Sequence, residues 1–100
     1  MPQQIEQRSS GLYGVVGHMG FDNAGALEIE GFELIEQVPE RLVLDFSQLE
    51  HASSVGAAIL LSWQRHALKQ GKGIEYHNLT EQFRRVLEIS DLMEILPIYS

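Results

Sequence analysis

Asp45, His51 and Ser54 stand within a ten-residue span and carry the carboxylate, imidazole and hydroxyl of a nucleophilic triad. Such a triad needs an imidazole bridging hydroxyl and carboxylate, and donors aimed at a developing oxyanion. His51 lies only three residues from Ser54 in the same loop, and no oxyanion element accompanies the pair, so the set does not define a hydrolase. His18, His51, His66 and His77 are scattered and lack the i, i+3 or i, i+4 spacing of a helical metal site. The absence of cysteine removes thiolate zinc sites, a thiolate nucleophile and any disulfide framework. Gly14, Gly17 and Gly20 lack the spacing of a dinucleotide loop, and Gly71-Lys72-Gly73 follows a helical pattern and precedes a strand, the reverse of a phosphate loop. No catalytic residue, metal or cofactor is expected.

What remains is a surface for docking. Ser53-Ser54-Val55-Gly56 opens a helical run, with Ser54 expected to cap it by accepting from the free amides of the first turn. A helix N-terminus with a small exposed hydroxyl also favours a negative group. Ser54, Ala58, Ser62, Arg65 and Lys69 follow at steps of four, four, three and four residues and share one helical stripe. Small at its start and basic at its end, the stripe lets a partner approach closely while Arg65 offers directional bonds to a carboxylate. Ile59, Leu60, Trp63 and Ala67 supply the opposite, core-facing side.

The elements that must hold this stripe follow from periodicity. Residues 5–9 and 12–17 read as a leading hairpin, with Ser9-Ser10-Gly11 as its turn. From Phe21 the pattern turns helical, with Asp22 or Asn23 as cap; Ala26, Leu27, Ile29, Phe32, Leu34, Ile35 and Val38 form the apolar side. Gly31 weakens that helix in the middle and Pro39 ends it. Residues 42–46 form a buried strand, 54–70 the second helix closed by a glycine at Gly71, and 74–77 a short strand. Thr80 caps a third helix whose buried side is Phe83, Val86 and Leu87, with Ile89 a further candidate, and Ser90-Asp91 caps a last short helix over 92–96. The order β-β-α-β-α-β-α-α predicts an α/β domain, its loop after residue 46 at the carboxyl end of a strand, where open sheets place working surfaces.

Composition bounds the function. One hundred residues with 44% hydrophobic and 21% charged side chains make one globular domain. Fourteen acidic against seven basic side chains, a formal charge of −7, repel phosphate backbones, so no nucleic-acid partner is expected. The longest apolar run, residues 55–61, is far below the ~20 residues of a membrane span, and the N-terminus lacks a signal sequence. The expected location is cytoplasmic, without direct membrane insertion.

The hydrophobic strand ending in LDFS, the loop, the hydroxyl pair and glycine, then AAILLSWQRHALKQGKG and a short strand resemble the STAS domain, the fold of anti-sigma factor antagonists, over about the whole chain. Asp45 and Ser47 match the family's strand-end aspartate and polar residue, and Gly56 its loop glycine. Ser54 occupies the position of the antagonists' phosphorylated serine, where the Mla phospholipid-transport subunit has a threonine. Antagonists read Asp-Ser-Ser-Gly here; this chain has Ser53 in place of the acid, and its long second helix is similar in layout to the Mla subunit.

The resemblance implies a single STAS domain over residues 1–100, with a small mixed four- to five-stranded sheet flanked by about four helices. It further implies a non-catalytic subunit that binds the ATPase of a Mla-type ABC phospholipid transporter, within a complex containing permease and substrate-binding subunits. Such a subunit would sit at the cytoplasmic face of the inner membrane through its partner and serve outer-membrane lipid asymmetry. Ser53, Ser54, Val55, Ala58, Ser62 and Arg65 are the expected partner-binding residues. The other branch implies an anti-sigma factor antagonist switched by phosphorylation of Ser54.

Overall fold

The computed structural model describes residues 4–99. In chain order the elements are β1 (Ile5–Ser9), β2 (Leu12–Val15), β3 (Gly17–Met19), α1 (Ala24–Gln37), β4 (Arg41–Asp45), β5 (Leu49–Ala52), α2 (Ser54–Lys69), β6 (Gly73–His77), α3 (Glu81–Ile89) and β7 (Ile98–Tyr99). Five strands form a mixed sheet ordered β1-β2-β4-β6-β7, in which β1 pairs antiparallel to β2 and the remaining neighbours run parallel. β3 and β5 pair in parallel as a separate two-stranded ribbon.

Along β4 and β6 the residues Leu42, Leu44, Ile74 and Tyr76 are buried, while the alternating Arg41, Val43, Asp45, Glu75 and His77 are not. Period-two burial puts the helices on one face and leaves the other partly exposed. The covered side holds Trp63, Tyr76, Phe46 and Phe83, all fully buried. Phe46 meets Tyr76 and Phe83 edge-on at centroid separations of 5.8 and 5.7 Å, the geometry ring quadrupoles favour. The Tyr76 hydroxyl donates to the Leu60 carbonyl at 2.6 Å, which satisfies the one polar atom this ring brings into the core; burial pushes its pKa well above the usual value.

The sequence pattern places most elements, and the departures have local causes. The expected strand over 12–17 divides at Val16, and Gly17, at φ +76°, starts the ribbon strand outside the main sheet. Residues 49–52, expected as loop, are strand β5. Ser90 and Asp91 end α3 instead of opening a fourth helix: Asp91 takes φ +58°, and Asp91 N and Leu92 N donate back to the Glu88 and Leu87 carbonyls. Residues 92–96 are turns followed by β7, so the described residues contain three helices.

Gly31 serves packing. A Cβ there would overlap the Trp63 indole, and the indole N–H donates to the Glu28 carbonyl at 3.0 Å. The glycine lowers helix propensity but lets α2 press its largest side chain against the α1 backbone. α2 ends as expected: Gly71 at φ +69°, with Lys72 N bonded to the Ala67 carbonyl and Gly71 N to that of Leu68. Lys72 then reaches the Ile35 and Glu36 carbonyls at 2.8 and 2.7 Å and satisfies the end of α1 with a cation.

Candidate functional site

The corner where β5 becomes α2 is fastened from two sides, by β3 and by α3. Ser53 N donates to the Met19 carbonyl of β3 at 2.9 Å. From α3, the Gln82 amide takes the Ala52 N–H at 2.9 Å and donates to the Ala52 carbonyl at 2.7 Å, standing in for a missing strand neighbour of β5. Gly56 is buried, and a Cβ there would stand 3.1 Å from the Phe83 ring and 3.3 Å from the Ala52 Cβ, so a small residue lets the first turn of α2 seat on α3.

The cap is Ser53, not Ser54 as expected. Ser53 has extended backbone, φ −87° and ψ −178°, and its Oγ accepts from Val55 N at 3.4 Å. Ser54 is the first helical residue; it is exposed, and its hydroxyl has no hydrogen-bond partner among the described residues. The shift by one follows from backbone shape, because the cap must be extended and the β5 ribbon keeps the chain extended through Ser53. It divides the labour between the two serines: one holds the helix, the other faces solvent. Val55 is half-buried beside them.

Down the stripe, Ala58, Arg65 and Lys69 are exposed and Ser62 is half-buried. Ser62 Oγ donates to Glu28 Oε2 of α1 at 2.5 Å, so it is tied to the neighbouring helix, not simply solvated. Phe32, Ala58, Leu61, Ser62, Arg65, His66 and Lys69 line a shallow groove of about 310 Å³ between the two helices. Its floor is the Phe32 ring against His66, centroids 4.4 Å apart, and His66 Nε2 lies 2.9 Å from Glu36 Oε2. That Glu28, Phe32 and His66 border the stripe was not foreseen. Their spacing shows that Glu28 and Phe32 share a face of α1, but single-helix periodicity does not say which faces of two helices meet.

A second polar cluster lies at the carboxyl ends of β4 and β6. Ser47 Oγ donates to Asp45 Oδ2 at 2.7 Å, Asn78 Nδ2 to Oδ1 at 2.8 Å, and Arg8 Nη1 lies 3.6 Å from Oδ2. Burial pushes the Asp45 carboxyl up, but the bonds from Ser47 and Asn78, with the Arg8 charge, outweigh it and hold the group below the ordinary carboxylate value. Asp45 is thus engaged by Ser47, Asn78 and Arg8, and no triad forms with His51, which lies opposite His18 in the ribbon. His18 bonds Asp22 at 2.9 Å, and His77 bonds Glu75 at 2.9 Å while stacking on Tyr99. Among the described residues no three His, Asp or Glu side chains gather as a metal site, and no helix is long and apolar enough to cross a membrane.

A one-faced mixed sheet with a ribbon-fastened loop entering a long helix defines the α/β STAS fold. The family model for the Mlab STAS domain matches residues 6–97, and the chain belongs to that family. A chain of the Acinetobacter MlaFEDB complex in its ATP-bound Vtrans2 conformation is 28% identical, with a TM-score of 0.75 over 88% of this chain and 93% of that one. The Vtrans1 conformation gives 26% identity and a TM-score of 0.73 over 93% and 98%. The unphosphorylated anti-sigma factor antagonist SpoIIAA shares the fold at 16% identity, TM-score 0.73, covering 97% of this chain and 87% of that one. No curated protein sequence matches the chain.

Proposed function

We propose that this protein is the non-catalytic STAS subunit of a Mla-type ABC phospholipid transporter, docking on the ATPase subunit through the start of α2 and the stripe that follows it. The carrying observation is the exposed small surface of Ser54 and Ala58 on a rigidly fastened helix start, in a chain of the Mlab STAS family. Small side chains permit close backbone approach, and a docking point that does not reorganise loses little entropy on binding. Ser53 and Val55 complete the helix start, while Ser62 and Arg65 extend the surface along α2. Through the ATPase the subunit would join the permease and substrate-binding components at the cytoplasmic face of the inner membrane. Its place there would be to stabilise or regulate the motor that maintains outer-membrane lipid asymmetry.

Ala58→Glu tests this reading. A carboxylate at an exposed helix position leaves the fold intact, yet buried without a partner in the interface it should weaken capture of the cognate ATPase about a hundredfold or more. Undiminished pull-down by a variant with unchanged thermal unfolding would refute the reading.

One observation favours an anti-sigma factor antagonist: Ser54 is exposed and its hydroxyl uncommitted, as a phosphoacceptor requires. Against it, Ser53 replaces the antagonists' neighbouring carboxylate and serves as the helix cap. Incubation with ATP and candidate anti-sigma kinases separates the two, since stoichiometric phosphate on Ser54 would favour the antagonist.

A further inference from the structure

The α1–α2 groove is lined by two cations that no side chain among the described residues engages directly. Arg8, Arg41 and Arg85 are ion-paired with Asp45, Glu75 and Glu81, and Lys72 is committed to two carbonyls at the end of α1. Arg65 and Lys69 have no ion-pair or hydrogen-bond partner among the described residues. They lie one turn apart on the exposed side of α2, where like charges repel in the free protein. Two carboxylates of α1 lie across the groove, but Glu28 is taken by Ser62 and Glu36 by His66. In a chain of net charge −7, two cations beside Phe32 and Leu61 with no direct partner among the described residues are a local exception.

We propose that this groove seats a carboxylate-bearing segment of the protein partner, with an apolar side chain over Phe32 and Leu61 and acidic groups reaching Arg65 and Lys69. The inference rests on the docking reading above and specifies its chemistry. Charge complementarity of this kind steers encounter and fixes register more than it deepens affinity, and Arg65 adds a planar fork suited to bidentate contact with a carboxylate. A protein segment fits better than an anionic membrane surface. Surface anchoring uses clusters of about four to eight cations. Here two stand beside a helix that carries Glu28, Glu30, Glu33 and Glu36.

The test uses the full chain and the purified cognate ATPase subunit, with association rate and affinity measured at low and high salt. Arg65→Glu with Lys69→Glu should slow association at least about tenfold at low salt and invert the wild-type salt dependence, with thermal unfolding unchanged. Arg65→Gln with Lys69→Gln, which removes charge without adding repulsion, should fall between. Wild-type rates and salt dependence in the charge-reversed protein would overturn the inference. If Ala58→Glu still blocked binding in that case, the docking reading would stand. Retained binding by Ala58→Glu would instead remove the reading beneath both. Vesicles of phosphatidylglycerol and phosphatidylethanolamine in equal parts complete the experiment. Binding to them that depends on Arg65 and Lys69 would overturn the proposal in favour of a lipid surface, and its absence supports the protein segment.

Discussion

The Asp45 cluster and the α2 stripe hold similar residue types yet treat them oppositely. At the strand ends the carboxylate, hydroxyl, amide and guanidinium satisfy one another, with both Asp45 oxygens bonded and Arg8 alongside. Along α2 the hydroxyl of Ser54 and the cations Arg65 and Lys69 are left to solvent. A polar group whose partners lie inside the fold acts on stability, whereas one held in place without partners is available to another molecule. Changes in the cluster should therefore move unfolding and spare binding, and changes at Ser54, Ala58, Arg65 and Lys69 the reverse.

The largest expected effect that could break this contrast is that of Ala58→Glu: about 3 kcal/mol or more of binding lost with no shift in melting temperature, read by calorimetric titration and thermal scans. Next comes Asn78→Ala. Asn78 sits at φ +55° and donates to Asp45, so alanine loses both a hydrogen bond and a residue tolerant of left-handed backbone. Chemical denaturation should report about 2 kcal/mol less stability, with ATPase capture unchanged.

A smaller pair separates the adjacent serines. Ser53→Ala should cost about 0.5–1 kcal/mol of stability through the lost cap, given its long 3.4 Å bond, while Ser54→Ala should leave unfolding within about 0.5 kcal/mol of wild type. Equal losses in urea titrations would show that the two roles are shared. The smallest effect is a pH signature. Asp45 has a folded pKa below its ordinary value of 3.8, so ionisation favours the native state. The stability advantage of wild type over Asp45→Asn should be fully present above that value and fade as pH falls through the depressed folded one. A difference constant from neutral to strongly acidic pH would show that charge is not what Asp45 contributes.

How far the sequence revealed this arrangement varies by feature. Strong local chemistry was readable: Thr80 caps α3 by accepting from Phe83 N at 3.2 Å, Gly71 closes α2, and the side bearing Ile59, Leu60, Trp63 and Ala67 is buried. The stripe from Ser54 to Lys69 followed from helical geometry alone, although Ser62 proved to be tied to α1. Tertiary decisions were not readable. β5 exists because β3 lies on one side and the Gln82 amide on the other, and neither is a neighbour in sequence. Asn23 precedes α1 as foreseen, but its side chain accepts from Gly20 N and donates to Gln4 and His18, so it fastens the preceding loop without capping the helix. Ile29 fits the apolar pattern of α1 yet is 57% exposed, because the period of a single helix does not fix the width of its buried arc.

Trp63 is the only tryptophan in the chain and lies fully buried where α2 meets Gly31, its indole N–H held by the Glu28 carbonyl. The same glutamate receives the Ser62 hydroxyl at the edge of the groove. The molecule thus carries a single tryptophan, selectively excitable at long wavelength, wired to the seam beneath its docking face. Any occupant that shifts α1 against α2 should announce itself in emission colour or quenching, with no label attached.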